Sequence, residues 1–398
     1  MNDTEKEFIC KNAPCYIYNK AEIIKQCEKL KKAMPSVQFL YSVKANPFLP
    51  VVSTITNCGL GVDAASLQEV VLANANRLTG GQIFYSSPGK TEHDIKLAFG
   101  KCIFIADSFH ELELLNFHAG KAGKTIKAGI RINPGFGMDK NTGFTSKFGI
   151  DEIQLKELSS FLDKTENIVI SGIHIHIQSQ ILNADTLSHY YKNCYLLAER
   201  AADLLDRKIE FINFGSGIGT VYDNAKDRPV DLKLLSETIS ELDEVNRHSL
   251  QAKFIIETGR FLTCNAGTYY TRIVDKKISH GKTYLIVENG MNGFLRPSIT
   301  AFLMKAAENN SLTEKGLEPL YTAENAFIVS VLNGETEKET STVVGNLCTA
   351  LDIIAENIEL PIARIGDIVS VSNAGSYGYS LSPLLFGGHQ APKQFLWE

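Results

Sequence analysis

The chain predicts an α/β fold, a TIM-type (α/β)8 barrel followed by a mostly β domain. Three observations predict it. Short β-rich runs alternate with helix-length amphipathic segments from Tyr16 to Glu257, and alternating βα units imply a parallel sheet with helical crossovers. Roughly eight such units suit a barrel, which typically takes about 250 residues. After Arg260 the texture changes to strand-like runs separated by Gly and Asn turns. The alternative is an open doubly wound sheet. It usually carries a G-x-G-x-x-G after its first strand, and none occurs here.

The strand-like runs, in order, are 16–18, 37–42, 60–63, 82–85, 102–106, 128–133, 168–177, 210–214 and 254–257. Each is short, rich in β-branched or aromatic residues, and bounded by turn formers. Between them, 21–34, 66–76, 92–98, 108–118, 151–163, 185–206 and 232–246 read as helices, because their apolar residues recur at helical spacing. Beyond Arg260, 268–274, 283–287, 326–332, 368–372 and 394–397 read as strands, with 299–308 as the long helix. Residues 7–18 are expected to join this second domain. The expected division is a barrel over 20–262 and a β domain made of 1–19 and 263–398. No low-complexity tract or Pro-rich linker interrupts the chain.

At 398 residues, 44% hydrophobic and 21% charged, the composition is that of a globular protein with room for two domains. A net charge of -5 gives no electrostatic case for nucleic acid or an anionic membrane. Met1-Asn2-Asp3-Thr4-Glu5-Lys6 has no apolar signal region, and no apolar run is long enough to span a bilayer. A cytoplasmic location is expected. The eight cysteines are scattered singly, without a CxxC or a metal-finger spacing. That pattern points to a reduced compartment and to no metal. Seven of them read as packing residues, with Cys348 the exception.

Barrel chemistry belongs at the C-terminal ends of strands. Lys44, in Tyr41-Ser42-Val43-Lys44-Ala45-Asn46-Pro47, ends one strand. A lysine in a semi-apolar site can lose its proton and form a Schiff base. Asp63 ends the next strand. His174 and His176 lie on the run 173–177, ahead of Gln178-Ser179-Gln180. Gly215-Ser216-Gly217-Ile218-Gly219 and Glu257-Thr258-Gly259-Arg260 follow two later strands. Singly, each has a plain reading. Lys44 can be a solvated charge and Asp63 a helix cap. The histidines can be core groups, the glycines a tight turn, and Glu257 with Arg260 an ion pair. Jointly they have a chemical logic. The glycine loop exposes N–H groups that cradle a phosphate, and Ser179, Arg260 and Tyr377 add donors. A histidine ring stacks on a flat heteroaromatic ring, and Glu257 holds a pyridine nitrogen protonated. A lysine that forms an imine completes what pyridoxal 5'-phosphate requires.

The chain resembles the fold-type III pyridoxal-phosphate decarboxylases, the clan of diaminopimelate, ornithine and arginine decarboxylases, from about Tyr16 to Trp397. The matching stretches are Tyr41-Ser42-Val43-Lys44-Ala45-Asn46, Ser146-Lys147-Phe148-Gly149-Ile150, His174-Ile175-His176-Ile177-Gln178-Ser179-Gln180 and Glu257-Thr258-Gly259-Arg260. Gly290-Met291-Asn292, Arg296-Pro297, Cys348 with Asp352, and Gly375-Ser376-Tyr377 complete them. The resemblance implies a barrel with a C-terminal β domain and a head-to-tail homodimer with two composite sites. It implies that Lys44 is the Schiff-base lysine, that His176 stacks on the cofactor ring, that Glu257 meets the pyridine nitrogen and that Asp63 lies near the lysine. Phosphate contacts are implied for Ser179, Gly217, Gly259, Arg260 and Tyr377, with Gly215 and Ser216 in the same loop. Arg296 matches the arginine that holds a substrate carboxylate. Cys348 matches the cysteine that enters the partner subunit's site and protonates the carbanion, with Thr349 and Asp352 on the same substrate side.

The departures from the clan bear mostly on substrate. Gly215-Ser216-Gly217 stands for Gly-Gly-Gly, Asn213 for an aspartate, Gln178 for a glycine and Thr258 for a proline. Cys348-Thr349-Ala350 stands where diaminopimelate decarboxylases have Cys-Glu-Ser, and the tyrosine usual after Arg296-Pro297 is missing. In this the chain resembles the subgroup that tailors siderophore or peptide-antibiotic intermediates and acts on carboxylate-bearing amino-acid conjugates. Three alternatives stand beside it: diaminopimelate decarboxylation, decarboxylation of ornithine, lysine or carboxynorspermidine, and a non-catalytic cofactor-binding regulator.

Overall fold

The structure, a computed structural model, describes residues 3–138, 142–307 and 325–398. The chain forms two compact units. One is Ile24–Gly219 with Pro229–Gly259, and the other is Met1–Ile23, Thr220–Arg228 and Arg260–Glu398.

In the first unit eight parallel strands close on themselves. They are Val37–Ser42, Gly61–Ala64, Ile83–Tyr85, Ile103–Ala106, Ile126–Asn133, Ile168–His174, Phe211–Asn213 and Lys253–Thr258. Each pairs with the next in parallel, and the last pairs back onto the first with Glu257 opposite Leu40. Helices cover the outside, so the strands are apolar on both faces. Leu40, Phe84, Ile105, Phe211 and Ile255 form a buried cluster, in which the Phe84 and Phe211 rings meet edge to face at 5.3 Å. The crossover helices start where the sequence places caps. Ser66, Thr91, Ser108, Asn183 and Asp231 each accept a backbone N–H of the first turn.

All eight expected barrel strands are present, with ends shifted by a few residues. Two local differences matter. Leu49–Asn57 is a helix that the sequence reading did not assign. The run expected as strand over 168–177 ends at His174, so His176 stands in the following loop rather than on the strand. The chain stays tied to its neighbour through Ile175 N–H to Asn213 O at 2.9 Å, then turns at Gln180, whose φ is 64°.

The second unit is mostly β. One sheet runs Val329–Val331, Ile368–Val371, Gly267–Ser279, Lys282–Val287, Lys338–Val344 and Ile353–Pro361. Cys15–Asn19 pairs antiparallel with Gly267–Ser279 and parallel with Lys393–Trp397. Lys338–Val344 and Ile353–Pro361 form an antiparallel pair that the sequence reading missed. So was the helix Asp3–Asn12, whose Phe8 packs on Phe395 and Trp397 at 4.9 and 5.2 Å. The helix Leu295–Ala307 answers the one expected over 299–308, and Glu308 lies outside the described residues. The segment Thr220–Arg228 groups with this unit and not with the barrel. The reason is local bonding: Tyr222 Oη accepts from Arg260, and Asp223 accepts from Asn325. All eight cysteines are free. Among the described residues no helix is long and apolar enough to cross a membrane.

Candidate active site

The barrel strands deliver their chemistry at one end. Val37–Ser42 runs into a single turn, Val43–Ala45, that buries Val43 and Ala45 and exposes Lys44. Tyr41 Oη donates to Asn46 O at 2.9 Å, and Phe48 N–H donates to Asn46 Oδ1 at 3.1 Å, which pins the turn on both sides. A side chain at Gly259 would place its Cβ 2.9 Å from that of Ala45, so glycine there lets the Glu257 strand end approach the lysine turn. Asp63 is buried, and its two oxygens accept hydroxyls from Ser42 at 3.0 Å and Ser86 at 2.5 Å.

Glu257 is buried at the end of its strand. Asn213 Nδ2 donates to Glu257 Oε1 at 2.8 Å, while Asn213 Oδ1 accepts from Gly215 N–H at 2.9 Å. One amide therefore ties the carboxylate to the glycine loop. An aspartate at this position offers no N–H to a carboxylate. Burial, followed by the negative charge of Asp63, pushes the Glu257 carboxyl up to about 8.

His176 stands on the glycine loop. Ser216 N–H donates to its Nδ1 at 3.2 Å. Gly215 has φ 67°, and a Cβ there would fall 2.6 Å from that of His176. Burial and the positive charges of Arg131 and Lys44 hold this imidazole well below the usual histidine range, so the ring is uncharged. The loop carrying Ser179 is zipped to the glycine loop by Ile181 N–H to Gly217 O and Gly219 N–H to Ile181 O, both 2.9 Å.

Arg131 was missed by the sequence reading. It lies near the C-terminal end of Ile126–Asn133, is buried, and donates from Nη2 to His176 O at 3.2 Å. Its guanidinium lies 4.4 Å over the Phe148 ring and 3.9 Å from Asp107. The signal available was an arginine at a strand end of an α/β barrel. No motif marked it.

The remaining candidates lie in the second unit. Arg260 Nη1 donates to Tyr222 Oη at 2.9 Å, with its guanidinium 5.0 Å over the Tyr377 ring. Tyr377 holds a left-handed backbone, φ 54°, of the strained kind that clusters at ligand sites. Arg296 is fully buried. It donates to Ser376 O at 3.2 Å, and its guanidinium lies about 5 Å from both the Tyr222 and Phe327 rings. Cys348 is exposed on the loop between Lys338–Val344 and Ile353–Pro361. Thr349 Oγ1 accepts from Leu351 N–H at 3.3 Å. Asp352 is buried, and its oxygens accept from Met291 N–H at 2.6 Å and Leu347 N–H at 3.0 Å. One oxygen thus holds the Cys348 loop at Leu347, and the other holds the Gly290-Met291-Asn292 segment. Among the described residues no group of three His, Cys, Asp or Glu side chains is arranged to hold a metal ion.

The barrel residues fit pyridoxal 5'-phosphate. They comprise an exposed lysine on a turn, an uncharged imidazole, a buried carboxyl with one oxygen already held, and a loop in which Gly215 has no room for a side chain. A pH-dependent consequence follows. The folded Glu257 carboxyl titrates near 8 against an ordinary 4.5, so the cofactor-free native state binds more protons between those values. Stability from this group is complete below 4.5 and falls as pH rises toward 8. Thermal melts of cofactor-free wild type and Glu257→Gln should show the wild-type Tm losing ground to the variant from acid to mildly basic pH. Parallel curves would reject the assignment.

Residues 20–264 match the family described as pyridoxal-dependent decarboxylase, pyridoxal binding domain. Over 396 residues the chain is 30% identical to the L-glutamyl-[BtrI acyl-carrier protein] decarboxylase of Niallia circulans, covering 96% of this chain and 88% of that one. It is also 30% identical over 384 residues to the diaminopimelate decarboxylase of Aquifex aeolicus, covering 93% and 83%. Among solved structures, the fold of diaminopimelate decarboxylase from Helicobacter pylori complexed with L-lysine matches with a TM-score of 0.83 at 24% identity, over 99% of this chain and 94% of that one.

Proposed function

The chain belongs to the pyridoxal-dependent decarboxylases and is a carboxy-lyase that works with pyridoxal 5'-phosphate, and we propose that its substrate is a carboxylate-bearing amino acid or amino-acid conjugate of specialised-metabolite biosynthesis, antibiotic or siderophore. The observation that carries this reading is Cys348-Thr349-Ala350. Where a glutamate would pair a distal ammonium there is a neutral hydroxyl, already accepting from Leu351 N–H. The one carboxylate nearby in sequence, Asp352, is engaged by backbone N–H groups. Similarity to a relative named for a glutamyl group on an acyl-carrier protein supports the same reading.

When bound, the cofactor supplies an electron sink for the pair left behind as CO2 departs. In this reading Lys44 is the covalent attachment point and gives way to the substrate amine. His176 offers an uncharged ring face. Glu257 holds the proton on the cofactor's ring nitrogen, and Asp63 sets the polarity beside Lys44. Ser179, Gly215, Ser216, Gly217, Gly259, Arg260 and Tyr377 bind the phosphate, and Arg296 takes a substrate carboxylate by a bidentate contact. Cys348 delivers a proton to the former α-carbon. The working unit is a homodimer in which each Cys348 serves the partner subunit's site.

A second reading, diaminopimelate decarboxylation, is favoured by the 30% identity to the Aquifex enzyme. The two separate on one comparison. An ammonium desolvated without its carboxylate loses a charge-assisted hydrogen bond worth roughly 1.5–3 kcal/mol. At about 1.36 kcal/mol per tenfold, that is on the order of ten- to more than a hundredfold in kcat/KM. CO2 release measured over free amino acids and acyl conjugates should rank meso-diaminopimelate low for the wild type and higher for Thr349→Glu. Turnover of meso-diaminopimelate matching the best substrate would overturn the conjugate reading.

A further inference from the structure

We propose that His174 is a positioning residue for Glu257: its Nε2–H and Asn213 Nδ2 together hold carboxylate oxygen Oε1, which leaves Oε2 for the ring nitrogen of the cofactor. The proposal rests on the reading of Glu257 given above.

Three neighbouring strands build the arrangement. In the barrel Phe211–Asn213 lies between Ile168–His174 and Lys253–Thr258. Asn213 sits opposite His174 on one side and Ile255 on the other. His174 is 1% exposed. Neither of its ring nitrogens has a hydrogen-bond partner among the described residues. Yet Nε2 stands 3.3 Å from Glu257 Oε1. A polar ring buried this deeply calls for a partner. The distance is already close to a normal N–H···O bond, so alignment alone is lacking. Asn213 shows what the second donor does. It reaches the same oxygen at 2.8 Å and is itself anchored to Gly215 N–H.

The choice of a histidine has a physical reason. Asp63, Lys44 and Arg131 act on Glu257, and Arg131, His176, Lys44 and Lys90 act on His174. Burial, followed by Arg131 and the charges of Lys44 and Lys90, holds the His174 imidazole well below its ordinary range, so it is an uncharged donor. Once a protonated ring nitrogen draws Glu257 into its ionised form, an uncharged donor fixes the carboxylate without cancelling that charge. A cationic partner in its place would compete with the ring-nitrogen proton for that charge. The early end of the strand at His174 makes the two histidines of the motif different. His176 moves out to the glycine loop, and His174 stays beneath, beside the carboxylate.

The test reads the ring nitrogen directly. Nitrogen NMR of holoenzyme carrying ring-labelled pyridoxal 5'-phosphate should show a protonated ring through neutral pH in the wild type. In His174→Leu the proton should be lost at a pH lower by about one unit or more, with kcat down about tenfold and KM little changed. His174→Gln, which keeps an N–H donor, should restore most of both. An unshifted titration in His174→Leu overturns the proposal. Glu257→Gln separates the two layers. If it abolishes ring protonation while His174→Leu does not, His174 alone is misassigned; if it too leaves the ring unchanged, the reading of Glu257 fails. A second measurement needs no substitution. In histidine-labelled wild-type holoenzyme, His174 should be neutral with its proton on Nε2. A proton on Nδ1, or a charged imidazolium, overturns the proposal.

Discussion

Lys44→Ala is expected to abolish turnover and covalent attachment of the cofactor while leaving the protein folded, a loss on the order of 10⁴-fold or more, the scale on which loss of a covalent nucleophile is felt. The structure explains both halves of the expectation. Lys44 is exposed on a turn whose neighbours Val43 and Ala45 carry the packing, so truncating it opens no core cavity. The turn itself is held by the bonds of Tyr41 Oη to Asn46 O and of Phe48 N–H to Asn46 Oδ1, neither of which is made by the lysine side chain. Lys90 makes an instructive contrast. It is buried, and its ammonium donates to Ser87 O, Ile105 O and Glu111 Oε2 at 2.6, 2.7 and 2.8 Å. Three oxygens account for its three N–H groups, so it serves as a strut between the Ser87 loop, the strand at Ile105 and the helix at Glu111. Borohydride reduction of the holoenzyme followed by peptide mapping should place the cofactor label on the peptide containing Lys44. A label on Lys90, or on any other lysine, would sink the assignment.

What could be read in the sequence follows from how strongly local chemistry and final environment agree. The barrel strands were legible because a strand covered on both faces is a short apolar run between polar segments, as in Val37–Ser42. Leu49–Asn57 was not legible: Val51, Val52, Thr54, Ile55 and Thr56 are β-branched and argue for a strand. Only the need for a crossover between parallel neighbours makes them helical. Lys338–Val344 and Ile353–Pro361 failed for the opposite reason. The exposed positions are Lys338, Thr340, Asn357 and Glu359, and the positions buried in the first include Ser341 and Thr342, so no apolar alternation shows there, and the second alternates only over its last residues. The site divides the same way. Lys44, Asp63 and Glu257 are strand-end residues, and barrel topology marks them in advance. The contacts among them are not marked, because Asn213 meets Glu257, and Arg131 meets His176, only when distant strands become neighbours on closure. The substitution of Asn213 for an aspartate was visible. Its meaning, a donor aimed at Glu257, needed the register.

The trans arrangement proposed for the working site makes the second large prediction. Cys348 is exposed on a loop that Asp352 ties down at Leu347 N–H, and in the proposed dimer it is the proton donor of the partner subunit's site. Lys44→Ala and Cys348→Ala homodimers are each expected to be inactive or nearly so. Mixed under conditions where subunits exchange, about half of the dimers become heterodimers, and each heterodimer carries one site with an intact lysine and an intact cysteine. The mixture should therefore recover about a quarter of the wild-type kcat, with KM unchanged because the surviving site is complete. If each cysteine served its own subunit's lysine, every site in every dimer would lack one or the other, and mixing would restore nothing. Exchange must be shown independently, for instance by mass spectrometry of differently tagged subunits. Demonstrated exchange with no recovery would return Cys348 to its own subunit. A single mass corresponding to monomer in the active fraction would remove the dimer itself.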